Sequence, residues 1–222
     1  MMTVTEQQAT GNRQSSAVLQ FFAQLISYVF HPLFIPLYVT LFIMYVHPSY
    51  FSGMDVRTKF WCPLIVAQLT FFYPLLSVLL MKGLGFVDSV FLKTQKERII
   101  PYIAAGIFYF WAARVFIQQQ QYPSIMGVFM AGILFSSFAA LLCNIYFKIS
   151  MHAIGVGGAI GIFLIIMKTN TMLMTWPLSI VFLIAGLVCT SRLLISNHTQ
   201  KDIYIGLLVG IAAQIVAAYL FL

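Results

Sequence analysis

SIMGVFMAGILFSSFAALLCNIYF, residues 124–147, decides the fold. The run carries no charged side chain. As a helix it is long enough to cross a hydrocarbon core of about 30 Å. Working outward, comparable apolar runs occupy 101–118 and 62–83 before it and 153–168, 173–190 and 203–222 after it. A longer run at 19–46 carries His31-Pro32 and Pro36, so a kink or break is expected there: proline removes a helix hydrogen bond and clashes with the preceding turn. The composition agrees. Of 222 residues, 61% are hydrophobic and 8% charged, whereas soluble domains carry about 25% charged residues. The reading is an all-α, multi-spanning transmembrane helical bundle of about six to seven spans. It forms one domain over 19–222, after a polar segment at 1–18 that is expected to be disordered.

The formal net charge is +7, and the cations fall in short connections between apolar runs. Lipid head groups and a phosphate-bearing substrate are the partners this implies. No nucleic-acid motif is present, so no nucleic-acid partner is expected. Residues 1–18 lack the apolar core and small-residue cleavage site of a secretory signal, so no processing is expected. Cys62, Cys143 and Cys189 lie in or beside spans with no metal-ligand spacing, and read as small buried hydrophobes.

Three polar connections stand out. They are FLKTQKERIIPY (91–102), KISMH (148–152) and SRLLISNHTQKD (191–202). Two spans separate the first from the second, and two more separate the second from the third. An even number of crossings returns the chain to the same side, so all three meet at one face. There they assemble Lys93, Lys96, Arg98, Ser150, His152, Arg192, His198 and Asp202. Charged groups beside a bilayer are costly and tend to mark function. His198 and Asp202 are four apart, which on a helix puts them on one face about 5–6 Å apart at Cβ. A carboxylate so placed can take the Nδ1–H of the histidine and leave Nε2 free for chemistry. The set suits phosphoryl transfer. Cations hold the phosphate and its developing charge, one histidine attacks phosphorus, and the other protonates the leaving oxygen. No carboxylate cluster for two metals is present, so a metal-independent route is expected, with no cofactor.

The third connection, S-R-x5-H-x3-D, resembles the third signature of the type 2 phosphatidic acid phosphatases, the superfamily that includes the vanadium haloperoxidases. Ser150-Met151-His152 is similar to the second signature, Pro-Ser-Gly-His, with Ile149 for Pro and Met151 for Gly. Lys93 to Pro101 resembles the first, a Lys, six residues, then Arg-Pro. Here Arg98 follows Lys93 by five, and Pro101 does not follow Arg98 directly. The resemblance covers roughly 91–222. It implies a lipid phosphate or pyrophosphate phosphatase in a membrane, the bacterial inner membrane being the expected one. His198 would be the nucleophile that forms a phosphohistidine, Asp202 would orient it, and His152 would be the general acid. Arg192, Arg98, Lys93 and Ser150 would hold phosphate, with Lys96 the alternative to Lys93. Transfer to a second lipid, or an inactive lipid-binding protein of the same fold, are the rival readings. Both histidines being present favours catalysis.

Two further features invite functional readings. Gly155-Val156-Gly157-Gly158-Ala159-Ile160-Gly161 lacks the Gly-Lys-Ser/Thr ending of a phosphate loop, and its small residues are better explained by close helix packing. Ser150, just before it, can cap the helix it opens. His31 and His47 sit in His-Pro pairs and are expected to be structural; a His31 facing the bundle would line the route by which lipid reaches the site.

Overall fold

The computed structural model describes residues 16–89, 95–169, 174–195 and 198–222. These residues are helical and contain no strand. Six helical segments are long and apolar enough to cross a membrane, the architecture of a multi-pass membrane protein. The first is Val56–Gly83, built from α3 (Val56–Ala67), a π-turn at Gln68–Phe72 and α4 (Tyr73–Gly83). The others are α5 (Gln95–Gln118), α6 (Ser124–Tyr146), α7 (Met151–Thr169), α8 (Thr175–Ile195) and α9 (Gln200–Phe221).

The apolar run at 19–46 is not a single span. It is divided into α1 (Ala17–Val29) and α2 (Ile35–Leu41), with α2 continuing into a π-turn at Phe42–Val46. Pro32 biases His31 away from helical geometry, and Pro36 sits in the first turn of α2, where its missing N–H costs nothing. The intervening turn is closed by the Phe34 N–H donating to the His31 carbonyl at 2.8 Å. Helix α1 then lies against α8, and α2 against α3 and α7.

The centre of the bundle is α6, α7 and α9. Helices α7 and α9 approach most closely, because glycines face one another. A methyl on Gly157 would collide with the Leu207 carbonyl, and one on Gly210 with the Ile154 carbonyl. The glycine-rich run is thus a packing surface, as its small-residue spacing implies. Gln214, fully buried in α9, donates its side-chain N–H to the Phe129 carbonyl of α6 at 3.3 Å, tying the third helix in.

This packing positions the polar connections. Up-and-down connectivity returns the start of α5, the α6–α7 link and the α8–α9 link to the same end. Two contacts verify it. Gln95 and Asn144 exchange side-chain to backbone hydrogen bonds at 2.9 and 3.3 Å, and the Ser150 N–H lies 3.4 Å from the Asp202 carbonyl.

Candidate active site

Five of the residues singled out in the sequence, Arg98, Ser150, His152, Arg192 and Asp202, reach this end from helices or helix starts. His198 comes from the link before α9. Arg98 is on the first turn of α5, His152 on the first turn of α7 and Arg192 on the last turn of α8. The Arg192 guanidinium is close enough to act electrostatically on His31, His152 and His198. Arg98 acts on Arg192, His198 and Tyr102, and Lys148 acts on His198. Three cations and three histidines thus gather at one end of the bundle, with Asp202 and Glu97 as the nearby carboxylates. Lys96 is exposed on α5, and Lys93 lies outside the described residues.

His198 does not share a helix with Asp202. It precedes Thr199, the N-cap of α9, and Asp202 is the third residue of that helix. Thr199 and Asp202 form a reciprocal capping box. The Thr199 N–H donates to Asp202 Oδ2 at 2.8 Å, and the Asp202 N–H donates to Thr199 Oγ1 at 3.2 Å. His198 Nδ1 stands 3.8 Å from the same carboxylate oxygen, beyond hydrogen-bond length. The carboxylate therefore fixes the start of α9 and, through it, the approach of His198. Burial pushes the His198 imidazole down to about 4, helped by Arg192, Lys148 and Arg98; Asp202 opposes the shift. The ring is neutral at physiological pH, which is the state a nitrogen nucleophile requires.

His152 is held differently. Its Nε2 lies 3.2 Å from the Ser27 carbonyl on α1, so the N–H donates there and Nδ1 keeps the lone pair. Ser150 is fully buried. Its hydroxyl accepts the Ala153 N–H at 3.5 Å, capping the start of α7. In this arrangement it organises the helix that carries His152. Among the described residues, no three His, Cys, Asp or Glu side chains gather as a metal site needs.

No protein-family model matches the chain, and neither a curated protein nor a solved structure matches it. The geometry stands on its own.

Three participants are less evident in the sequence. Lys148 stands two residues before Ser150, where it reads as an ordinary interfacial cation. Tyr102, half-buried with its hydroxyl enclosed beside Arg98, reads as an interfacial tyrosine. His31, embedded in an apolar run, reads as a helix-breaking pair with Pro32. The one available signal was that the break falls next to an ionisable side chain.

Among the described residues, a cavity and a groove lie against α7, the helix that carries His152. A cavity of about 60 Å³ has Pro32 and Met151, neighbours of His31 and His152, in its lining, and reaches Ser136, Ser137 and Gln214. An apolar groove of about 340 Å³ is lined by Phe30, Phe42, Val156, Phe163, Pro177 and Ile184, among others. Phe30 places part of that groove one residue from His31.

Proposed function

We propose that this protein removes phosphate from a lipid phosphate or pyrophosphate at the membrane surface, through a phosphohistidine on His198. The observation that carries the reading is the convergence of His152, Arg192, His198 and Arg98 from three connections. Arg98 and Arg192 hold the non-bridging oxygens, with Lys148 adding positive charge. Neutral His198 attacks phosphorus with Nε2, its Nδ1–H directed to the Asp202 side. The phosphorus–oxygen bond to the lipid breaks as the nitrogen–phosphorus bond forms. The leaving oxygen takes a proton from Nδ1 of His152, which the ring takes up together with the bound anionic substrate, while the Ser27 carbonyl retains the Nε2–H. Water then attacks the phosphohistidine, giving its proton to His152, and inorganic phosphate and neutral His198 are released. A hydrocarbon chain of the lipid lies in the groove beside Phe30, which distinguishes this substrate class from a soluble phosphate ester. The resemblance to the type 2 phosphatidic acid phosphatases supports the same assignment and a bacterial inner membrane as the location.

The test is a panel of lipid phosphates and pyrophosphates presented in detergent to the purified protein, with released phosphate measured. Phosphate release that disappears in His198→Ala and His152→Ala supports the reading. A folded protein that releases none from any lipid, yet binds vanadate, supports the inactive lipid-binding rival.

A further inference from the structure

His31 lies outside all three polar connections, yet it reaches their cluster. Its ring stands edge-to-face against His152, with centroids 5.2 Å apart and planes at 83°, and it lies within electrostatic reach of Arg192. The turn also fixes its chemistry. Pro32 has no N–H, so the next backbone donor, on Leu33, reaches back to His31 Nδ1 at 3.3 Å. A nitrogen that accepts a hydrogen bond has its lone pair occupied, so the ring proton sits on Nε2. No hydrogen bond from that Nε2–H is seen among the described residues, and the buried Nε2 of His47 is likewise unpartnered, so a free N–H is common to both turns.

His47 supplies an internal comparison. It makes the same turn, with the Ser49 N–H donating to Nδ1 at 3.4 Å across Pro48. It sits at the other end of α2, buried and packed against Tyr50 with centroids 4.6 Å apart and planes tilted by 36°, away from the cationic cluster. The turn alone therefore does not need a site. What His31 has and His47 lacks is the company of Arg192 and His152.

We propose that His31 is a third functional histidine, a neutral Nε2–H donor to a non-bridging oxygen of the phosphate bound beside Arg192 and His152. The assignment rests on the phosphatase reading of that site. It gives the break in the 19–46 run a purpose, since an unbroken helix has no such turn to carry the donor.

Two substitutions separate turn from site. His31→Asn keeps an acceptor where Nδ1 stands, in an Asx-type turn, and removes the distal N–H. His31→Gln places an amide N–H near Nε2 and weakens the turn. Vanadate inhibition of lipid-phosphate hydrolysis and thermal unfolding are measured on wild type, both variants and His47→Asn. His31→Asn is expected to unfold like wild type but to bind vanadate roughly ten- to a hundredfold more weakly, the range for losing a hydrogen bond to a charged acceptor. His31→Gln recovers part of that affinity at a lower unfolding temperature, and His47→Asn leaves it unchanged. A folded His31→Asn with wild-type vanadate affinity and turnover overturns the proposal while leaving the phosphatase reading intact. Wild-type protein that neither hydrolyses lipid phosphates nor binds vanadate overturns both. Should His31→Asn not fold, the ¹⁵N spectrum of histidine-labelled wild type decides. A His31 Nε2–H resonance that moves on adding vanadate supports the donor, and one that stays still refutes it.

Discussion

Acidifying the resting protein from pH 7 to pH 5 leaves His198 neutral. An unperturbed histidine, with a pKa near 6.5, is only about 3% neutral at pH 5. His198, pushed down to about 4 first by burial and then by Arg192, Lys148 and Arg98, is about 90% neutral there, roughly thirtyfold more. The assay is ¹⁵N NMR of histidine-labelled protein in micelles, with His198 assigned by its loss in His198→Gln. The ring nitrogens should keep the paired, widely separated shifts of a neutral imidazole until well below pH 5. A midpoint at or above pH 6 refutes the packed, cation-flanked environment described for this ring. The sign carries over to stability. The folded pKa lies below the unfolded one, so the unfolded chain binds more protons between about 4 and 6.5. The contribution of His198 is therefore complete above that window and is lost as pH falls through it. Vanadate, an anion beside the ring, should move the midpoint upward.

Other perturbations read other parts of the site. Asp202→Ala removes half of the capping box and should lower stability by about 1 kcal/mol in thermal unfolding, whereas Asp202→Asn keeps an acceptor and should unfold near wild type. Both should slow phosphate release, and both should lower the His198 midpoint, because Asp202 is the neighbour that raises it. Gly210→Ala drives a methyl against the Ile154 carbonyl, so α7 and α9 must separate; a loss of about 1–3 kcal/mol is expected in denaturant or thermal unfolding. Activity should survive EDTA, since the proposed steps use only histidines and cations; loss in EDTA with rescue by magnesium contradicts the mechanism.

The helices were legible because length and hydropathy fix them almost alone: 124–147 appears as Ser124–Tyr146 and 203–222 as Gln200–Phe221. The convergence of the connections was legible for a related reason, since parity of crossings depends on counting spans between motifs and not on their exact ends. The run at 19–46 was harder. Its prolines announced a break, but hydropathy cannot say whether the two halves continue across the membrane or fold back on the bundle, which depends on what α1 and α2 pack against. The four-residue spacing of His198 and Asp202 suggests a helical pair, but the chain enters α9 between them at Thr199. A capping box can be recognised from Thr199 and Asp202 in the sequence, and recognising it would have placed His198 outside the helix. His31 was hidden because its partners, His152 and Arg192, are far from it in sequence and meet it only in three dimensions.

The central claim is that His198 takes the phosphoryl group. Purified protein is mixed with a ³²P-labelled lipid phosphate and quenched in alkali, which preserves phosphohistidine, and the labelled peptide is identified by mass spectrometry. The account predicts transient label on the peptide containing His198, absent in His198→Ala and formed more slowly in His152→Ala, which lacks the proton donor to the leaving oxygen. Phosphate release with wild-type rates in His198→Ala, or label on another residue, contradicts it.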